Sequence, residues 1–183
     1  HAERRTVKKG SRKKTKRNVK VLYISPLKAL GADVTKNLEL PLQGIFQQCE
    51  AMGLPVPDVE VAMRSGDSTP EQRRKIVSHP PDILVTTPES LFLLLTSKAN
   101  SILVGVETVI VDEVHAVAGT KRGAHLALSL ERLDDMIGHP VQRIGLSATV
   151  NPVEEVARFL GGSQPVTVVN PGDAPAMDLR AVE

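Results

Sequence analysis

Asp112-Glu113-Val114-His115 closes the apolar run Val109-Ile110-Val111. Two adjacent carboxylates just beyond a buried strand repel each other and are costly to keep ionised without a cation. A magnesium ion relieves that cost. One carboxylate holds the ion, directly or through water, while its neighbour orients an attacking water. Such a pair suits phosphoryl transfer, which needs positioning and charge neutralisation more than covalent chemistry. A solvated turn is the competing reading of the same four residues. Ser147-Ala148-Thr149 closes the next apolar run, Arg143-Ile144-Gly145-Leu146. Alone it reads as a turn or cap. Its value is positional, because it ends the strand that follows the acidic one and so can face the same cleft.

Three other strand ends carry groups suited to phosphates. Ser25-Pro26-Leu27-Lys28 joins a helix start to a lysine, and Arg64-Ser65-Gly66-Asp67 sets a guanidinium beside a flexible glycine. Thr86-Thr87-Pro88-Glu89 offers hydroxyls and another helix start. Helix N-termini and hydroxyls bind phosphate oxygens without reading bases. Each stretch judged singly is also an ordinary cap; all three on one sheet edge make a track for a single strand. Aromatic residues are only 2% of the chain and Trp is absent, so base stacking is minor and contact runs through backbone phosphates. Lys121-Arg122-Gly123 sets cations at a helix start, against the macrodipole. Either they are solvated, or they contact nucleic acid, nucleotide or another domain.

The elements that must position these groups alternate strand and helix. Strands are expected at Val19–Ser25, Val59–Met63, Ile83–Thr86, Glu107–Asp112, Gln142–Ser147 and Val166–Val169. The first helix has Pro26 in its opening turn and runs to about Gly53, with a break at Leu40-Pro41. Pro55 and Pro57 mark a loop. Thr69-Pro70-Glu71-Gln72 opens the second helix with a capping box. Thr87-Pro88 opens the third, and the fourth spans about Lys121 to Met136. The last starts at Asn151-Pro152-Val153-Glu154 and stops at Gly161-Gly162. Continuous apolar strands alternating with helices predict an α/β fold, a parallel sheet covered on both faces. Ligands of such sheets bind beyond the carboxyl ends of the strands, where the residues above lie.

Composition narrows the alternatives. The chain has 183 residues, 41% of them hydrophobic, enough for one domain with a sizeable core. The longest apolar run, Leu91–Leu95, is far too short to cross a bilayer. A single cysteine, Cys49, excludes an internal disulfide and fits a reducing, cytoplasmic setting. The histidines lack zinc-site spacing. The net charge of +2 conceals an asymmetry: residues 1–20 hold ten of the 23 Lys and Arg and one of the 21 acids, leaving net −7 on the rest. A basic run of this kind meets phosphates or stays solvated.

The strand-end motifs, in this order, resemble the first RecA-like domain of superfamily 2 helicases. "SPLKAL" is similar to motif Ia, "TTPESL" to motif Ib, "DEVH" to motif II and "SAT" to motif III. Longer stretches, above all "DEVHAVAGTKRGAHL" and "QRIGLSATVNPVEEVARFLGG", resemble the large helicase-related (Lhr-type) family over about residues 19–170. The resemblance implies an ATP-dependent helicase motor that travels on single-stranded DNA and unwinds duplexes, including RNA–DNA hybrids. It implies that Asp112 holds magnesium, usually through water, that Glu113 polarises the attacking water, and that His115 links the ATP site to motif III and to the second motor domain. Ser147 and Thr149 would couple hydrolysis to strand movement. Pro26, Leu27, Lys28, Arg64, Gly66, Thr86, Thr87 and Glu89 would line the nucleic acid.

No G-x-x-x-x-G-K-[ST] phosphate loop occurs in the sequence; "KKGSRKKT" has Lys13 where the second glycine belongs and leads into a strand. The expected organisation is therefore a basic flexible segment at 1–18, a partial motor domain at 19–170 that begins after the phosphate loop, and a tail or linker at 171–183. The remaining domains of a larger helicase would be partners, there would be no membrane contact, and the piece alone would hydrolyse ATP poorly. Two other readings stay open: a non-catalytic nucleic-acid-binding module relying on the basic segment, and a metal-dependent hydrolase built on Asp112, Glu113 and His115.

Overall fold

The computed structural model describes residues 17–148 and 152–169; residues 1–16, residues 149–151 (with Thr149 and the expected cap Asn151) and the tail from residue 170 lie outside. Five parallel strands, β1 (Val21–Ile24), β2 (Val61–Arg64), β3 (Ile83–Thr86), β4 (Thr108–Val111) and β5 (Gln142–Gly145), form one sheet in the order β2-β3-β1-β4-β5. The helices are α1 (Lys28–Ala51), α2 (Pro70–Ser78), α3 (Pro88–Leu95), α4 (Val114–Val117), α5 (Lys121–Ile137) and α6 (Val153–Gly161), with a short 3-10 helix at Lys98–Ile102.

The strands are in register, so Arg64, Thr86, Ile24, Val111 and Gly145 align across the sheet at its carboxyl end. Residues in register project to one face, and residues two apart share it. Leu22, Ile24, Leu84, Val109 and Val111 therefore line a single face, and all are fully buried. Leu91 and Leu94 of α3 and Leu126, Leu130 and Leu133 of α5 complete that core. Gly145 lies where α6 crosses: a methyl group there would come within 2.8 Å of Leu160. On the other face α1 packs over β2 and β3, where a methyl on Gly31 would meet the Met63 side chain at 3.0 Å. Tyr23 and Ile110, on that same face, stay only half-buried. Helices flank both faces of the parallel sheet, as expected.

Local chemistry explains the element starts. Thr69 accepts the Gln72 N–H at 3.2 Å while the Gln72 side chain accepts the Thr69 N–H at 2.8 Å, so the capping box is complete. Thr87 caps α3 and Thr120 caps α5 in the same manner.

Three expectations are corrected. The first helix starts at Lys28, two residues beyond Pro26, because the chain is still extended at Leu27. It also runs unbroken through Pro41. An internal proline removes one backbone hydrogen bond and strains the preceding turn, but the turns on either side keep theirs. Finally, Val166–Val169 forms no strand. A strand needs a ladder partner. After α6 the chain doubles back so that Val166 lies over Gly161, where a methyl would meet it at 2.5 Å. Val168 and Val169 remain exposed.

Arg17, at the end of the basic run, is turned inward on acids. It pairs with Asp58 at 3.0 Å, Glu60 at 2.9 Å and Asp82 at 3.2 Å.

Candidate functional site

The order β1-β4-β5 brings the acidic strand end and the Ser147 strand end together. The Asp112 N–H donates to the Ile24 carbonyl and the Leu146 N–H to the Val111 carbonyl, each at 2.9 Å, so three strand ends sit at one height. Beyond β4 the chain turns at once. Glu113 has φ 43° and ψ 44°, the only non-glycine positive φ among the described residues. A side chain in that region costs about 1 kcal/mol or more and persists only where neighbours hold it. Here the Val114 N–H donates to the Leu146 carbonyl at 2.9 Å and the Ala116 N–H to the Glu113 carbonyl at 2.8 Å. The Glu113 N–H donates to Asp112 Oδ1 at 2.9 Å, fixing that carboxylate. His115 Nδ1 shares a hydrogen bond of 3.1 Å with Ser147 Oγ and lies 3.4 Å from Glu113 Oε2. Asp112, Glu113, His115 and Ser147 are thus one connected group. Thr149 lies outside the described residues.

Tyr23, on the neighbouring strand, escaped the sequence reading. Burial first, then the neighbouring carboxylates of Asp112 and Glu113, push its phenol far above the ordinary value, so it stays neutral. It is the chain's one tyrosine, but its relevance depends on β1 and β4 being neighbours, and that requires the strand order.

Among the described residues no three His, Cys, Asp or Glu side chains are grouped to hold a metal ion. Asp112 and Glu113 supply two carboxylates. That small complement fits magnesium whose remaining ligands are phosphate oxygens and water, and does not fit an ion caged by protein alone.

The expected nucleic-acid residues divide by exposure. Leu27, Lys28 and Gly66 are exposed. Lys28 Nζ donates to both Asp67 carboxylate oxygens at 2.9 Å, which ties the first strand end to the second. Pro26 is buried. Thr86 is buried with its hydroxyl donated to the Arg64 carbonyl at 2.8 Å, and buried Thr87 caps α3 and donates to Ser90 Oγ at 3.2 Å. These two threonines build the turn and do not present hydroxyls to solvent. Arg64, 8% exposed, lines a cleft of about 600 Å³ with Arg73, Arg74, Ser78 and Lys98. Burial first, then the charge of Arg73, lowers its affinity for its proton. Arg73 itself donates to the Gly66 carbonyl at 2.9 Å. Glu89 faces Arg122. A second cleft, of about 410 Å³, opens beside His115 between Gly119, Pro152, Glu155, Arg158 and Phe159.

A parallel sheet of this order, with an acidic pair and a serine joined across adjacent strand ends, has the architecture of a RecA-like domain. Comparison with known proteins agrees. Residues 4–157 match the DEAD/DEAH box helicase family. The "Lhr helicase/ probable uracil glycosylase" of Mycolicibacterium smegmatis is 64% identical over 159 residues, covering 87% of this chain and 11% of that protein. The "Lhr helicase/uracil glycosylase" of Escherichia coli is 57% identical over 170 residues, covering 93% of this chain and 11% of that protein. The solved structure of Mycobacterium smegmatis helicase Lhr bound to ssDNA and AMP-PNP superposes with a TM-score of 0.85 at 62% identity, covering 88% of this chain and 21% of that one. The chain belongs to the DEAD/DEAH box helicase family and is homologous to Lhr-type helicases. It spans about a tenth of the length of the two curated relatives.

Proposed function

We propose that this chain is part of the first motor domain of an ATP-dependent helicase that moves along single-stranded DNA and acts on DNA duplexes or RNA–DNA hybrids. Residues 19–170 are the partial motor domain, with a basic segment at 1–18 before it and a tail or linker at 171–183 after it. The observation that carries the reading is the connected group Asp112, Glu113, His115 and Ser147, which joins a hydrolytic acidic pair to the next strand end. Asp112 would hold magnesium through water, and Tyr23 would help keep that carboxylate in place. The ion would neutralise charge developing on the phosphates. Glu113 would orient and deprotonate the attacking water, held in position by its strained backbone. His115 would pass a change at Glu113 to Ser147 and, with Thr149, to the neighbouring domain. Lys28, Arg64, Gly66 and the Thr86–Glu89 turn, with Pro26 and Leu27, would lie along the strand, Glu89 through the backbone of its turn.

A homologue solved with ssDNA and AMP-PNP supports both ligands. The test is ATP turnover by the full-length protein with and without a single-stranded oligonucleotide, beside the 183-residue chain alone. The strand should raise full-length turnover at least tenfold, and the chain alone, which has no phosphate loop, should show essentially none. Full-length turnover indifferent to the strand would overturn the assignment.

A further inference from the structure

Lys121-Arg122-Gly123 sets cations where the α5 macrodipole disfavours them, and the proposed hydrolytic cycle makes no use of them. The structure shows what Arg122 does. Its Nε donates to Glu89 Oε1, and its Nη2 donates to Glu89 Oε2 at 3.1 Å. This is a two-point fork between the first turn of α5 and the first turn of α3. Glu89 is placed where a helix start favours an anion, so the misplaced cation of one helix is neutralised by the well-placed anion of the next. The hydrogen bond from Arg122 is the main reason the Glu89 carboxyl falls to about 2, and the pair is ionised at any working pH. One turn further along, the rings of Phe92 and His125 meet with centroids 4.5 Å apart at 58°. The two helices are therefore joined twice, starting from the turn that holds Thr86 and Thr87.

At its other end the contact reaches the acidic cluster. Gly123 lies so close to α4 that a methyl group on it would stand 2.0 Å from the Val117 carbonyl oxygen, so α5 and α4 are in backbone contact. α4 in turn directly follows Glu113. A lone carboxylate on a phosphate track repels the strand, so Glu89 needs a reason to be there. The geometry points to that reason. Glu89 and Arg122 form a clamp that fixes the distance between the Thr86–Glu89 turn and the Asp112–His115 turn, and neither side chain contacts nucleic acid. A strand that shifts the Thr87 turn drags Arg122, α5 and α4 with it. Arg122 is thus a positioning residue, and its choice of ligand rests on the helicase reading above.

The test uses the full-length protein and a single-stranded oligonucleotide, with two readouts: strand affinity as a function of salt, and ATP turnover as a function of strand concentration. Arg122→Ala and Glu89→Ala should each raise the strand concentration for half-maximal turnover about three- to tenfold, with the KM for ATP unchanged within about twofold. The charge exchange Glu89→Arg with Arg122→Glu should recover at least half of that loss, and Arg122→Lys should be intermediate, since an ammonium cannot fork. The slope of log affinity against log salt should stay at the wild-type value in Arg122→Ala. A slope smaller by about one would mean that Arg122 neutralises a phosphate itself, and would overturn the clamp. An exchange no better than the single variants, or single variants equal to wild type, would overturn it too. If Arg122→Ala fails to fold, the exchange and the lysine variant carry the same comparison. A wild-type protein whose turnover ignores the strand overturns the helicase reading as well; a strand-stimulated wild type with unaffected variants overturns the clamp alone.

Discussion

Glutamate is an expensive residue to place in a left-handed turn, and Glu113 occupies one directly beyond β4. Glycine or asparagine would hold the same turn at less cost, so the strain supports a requirement for a carboxylate at this position. Asp112, His115 and Ser147 were legible as candidates because residue type and strand-end position together mark them. The hydrogen bond between His115 and Ser147 was not legible, since it depends on β4 and β5 being neighbours at one height. Tyr23 was missed for the same reason. Lys28 and Glu89 show a different limit. Both were read as facing a strand, and each has a protein partner 39 or 33 residues away that no local pattern reveals. The Glu89–Arg122 pair carries a pH prediction. The folded-state value of Glu89 is depressed from an ordinary 4.5 to about 2. Its contribution to stability is therefore present above about pH 4.5 and is lost as pH falls towards 2. Because both groups are substantially exposed, that contribution is at most about 1 kcal/mol. Urea unfolding of this chain and its Glu89→Gln variant should differ at pH 7, and the difference should shrink by pH 3.

Among the elements, those with a chemical start signal were placed well. The capping box at Thr69, the threonine cap at Thr87 and the buried strand Ile83–Thr86 all follow from the interactions of a few adjacent residues. Failures came where the outcome depends on distant partners. Pro41 looked like a break within the first helix, yet α1 continues through it. Val166–Val169 has strand composition but finds no ladder, because β propensity describes fit to a pleated surface and does not create one. The α4 turn was invisible, since it is set by the Glu113 backbone and closed by a glycine contact. That contact yields a prediction. Gly123→Ala would drive a methyl into the Val117 carbonyl and towards the Phe159 ring, 3.3 Å away. Overpacking against rigid backbone should cost about 3 kcal/mol, although alanine is the better helix former. Chemical denaturation measures it; a neutral or stabilising effect would mean that α4 and α5 part easily.

Taken whole, the chain is an acidic body preceded by a basic run, and its overall charge is a poor guide to its function. Residues 1–20 account for ten of the 23 basic groups, while Arg17 is held by three acids of the body. The clefts and strand ends explain more. One edge of the sheet carries the connected acidic cluster, the Lys28–Asp67 pair and the Thr87 turn, and the Arg64 cleft begins at that edge. No helix is long and apolar enough to cross a membrane among the described residues. The fold class was readable from alternation of strand and helix; the strand order was not, because parallel strands pair with partners far along the chain. The measurement that bears most directly on the account is strand-stimulated ATP turnover by the full-length protein carrying Glu113→Gln, read together with nucleotide affinity. The amide keeps the size of the side chain and removes the base, so turnover should fall at least about 100-fold while affinity stays within about threefold. Turnover equal to wild type would contradict the role of Glu113 and, with it, the hydrolytic reading of the cluster.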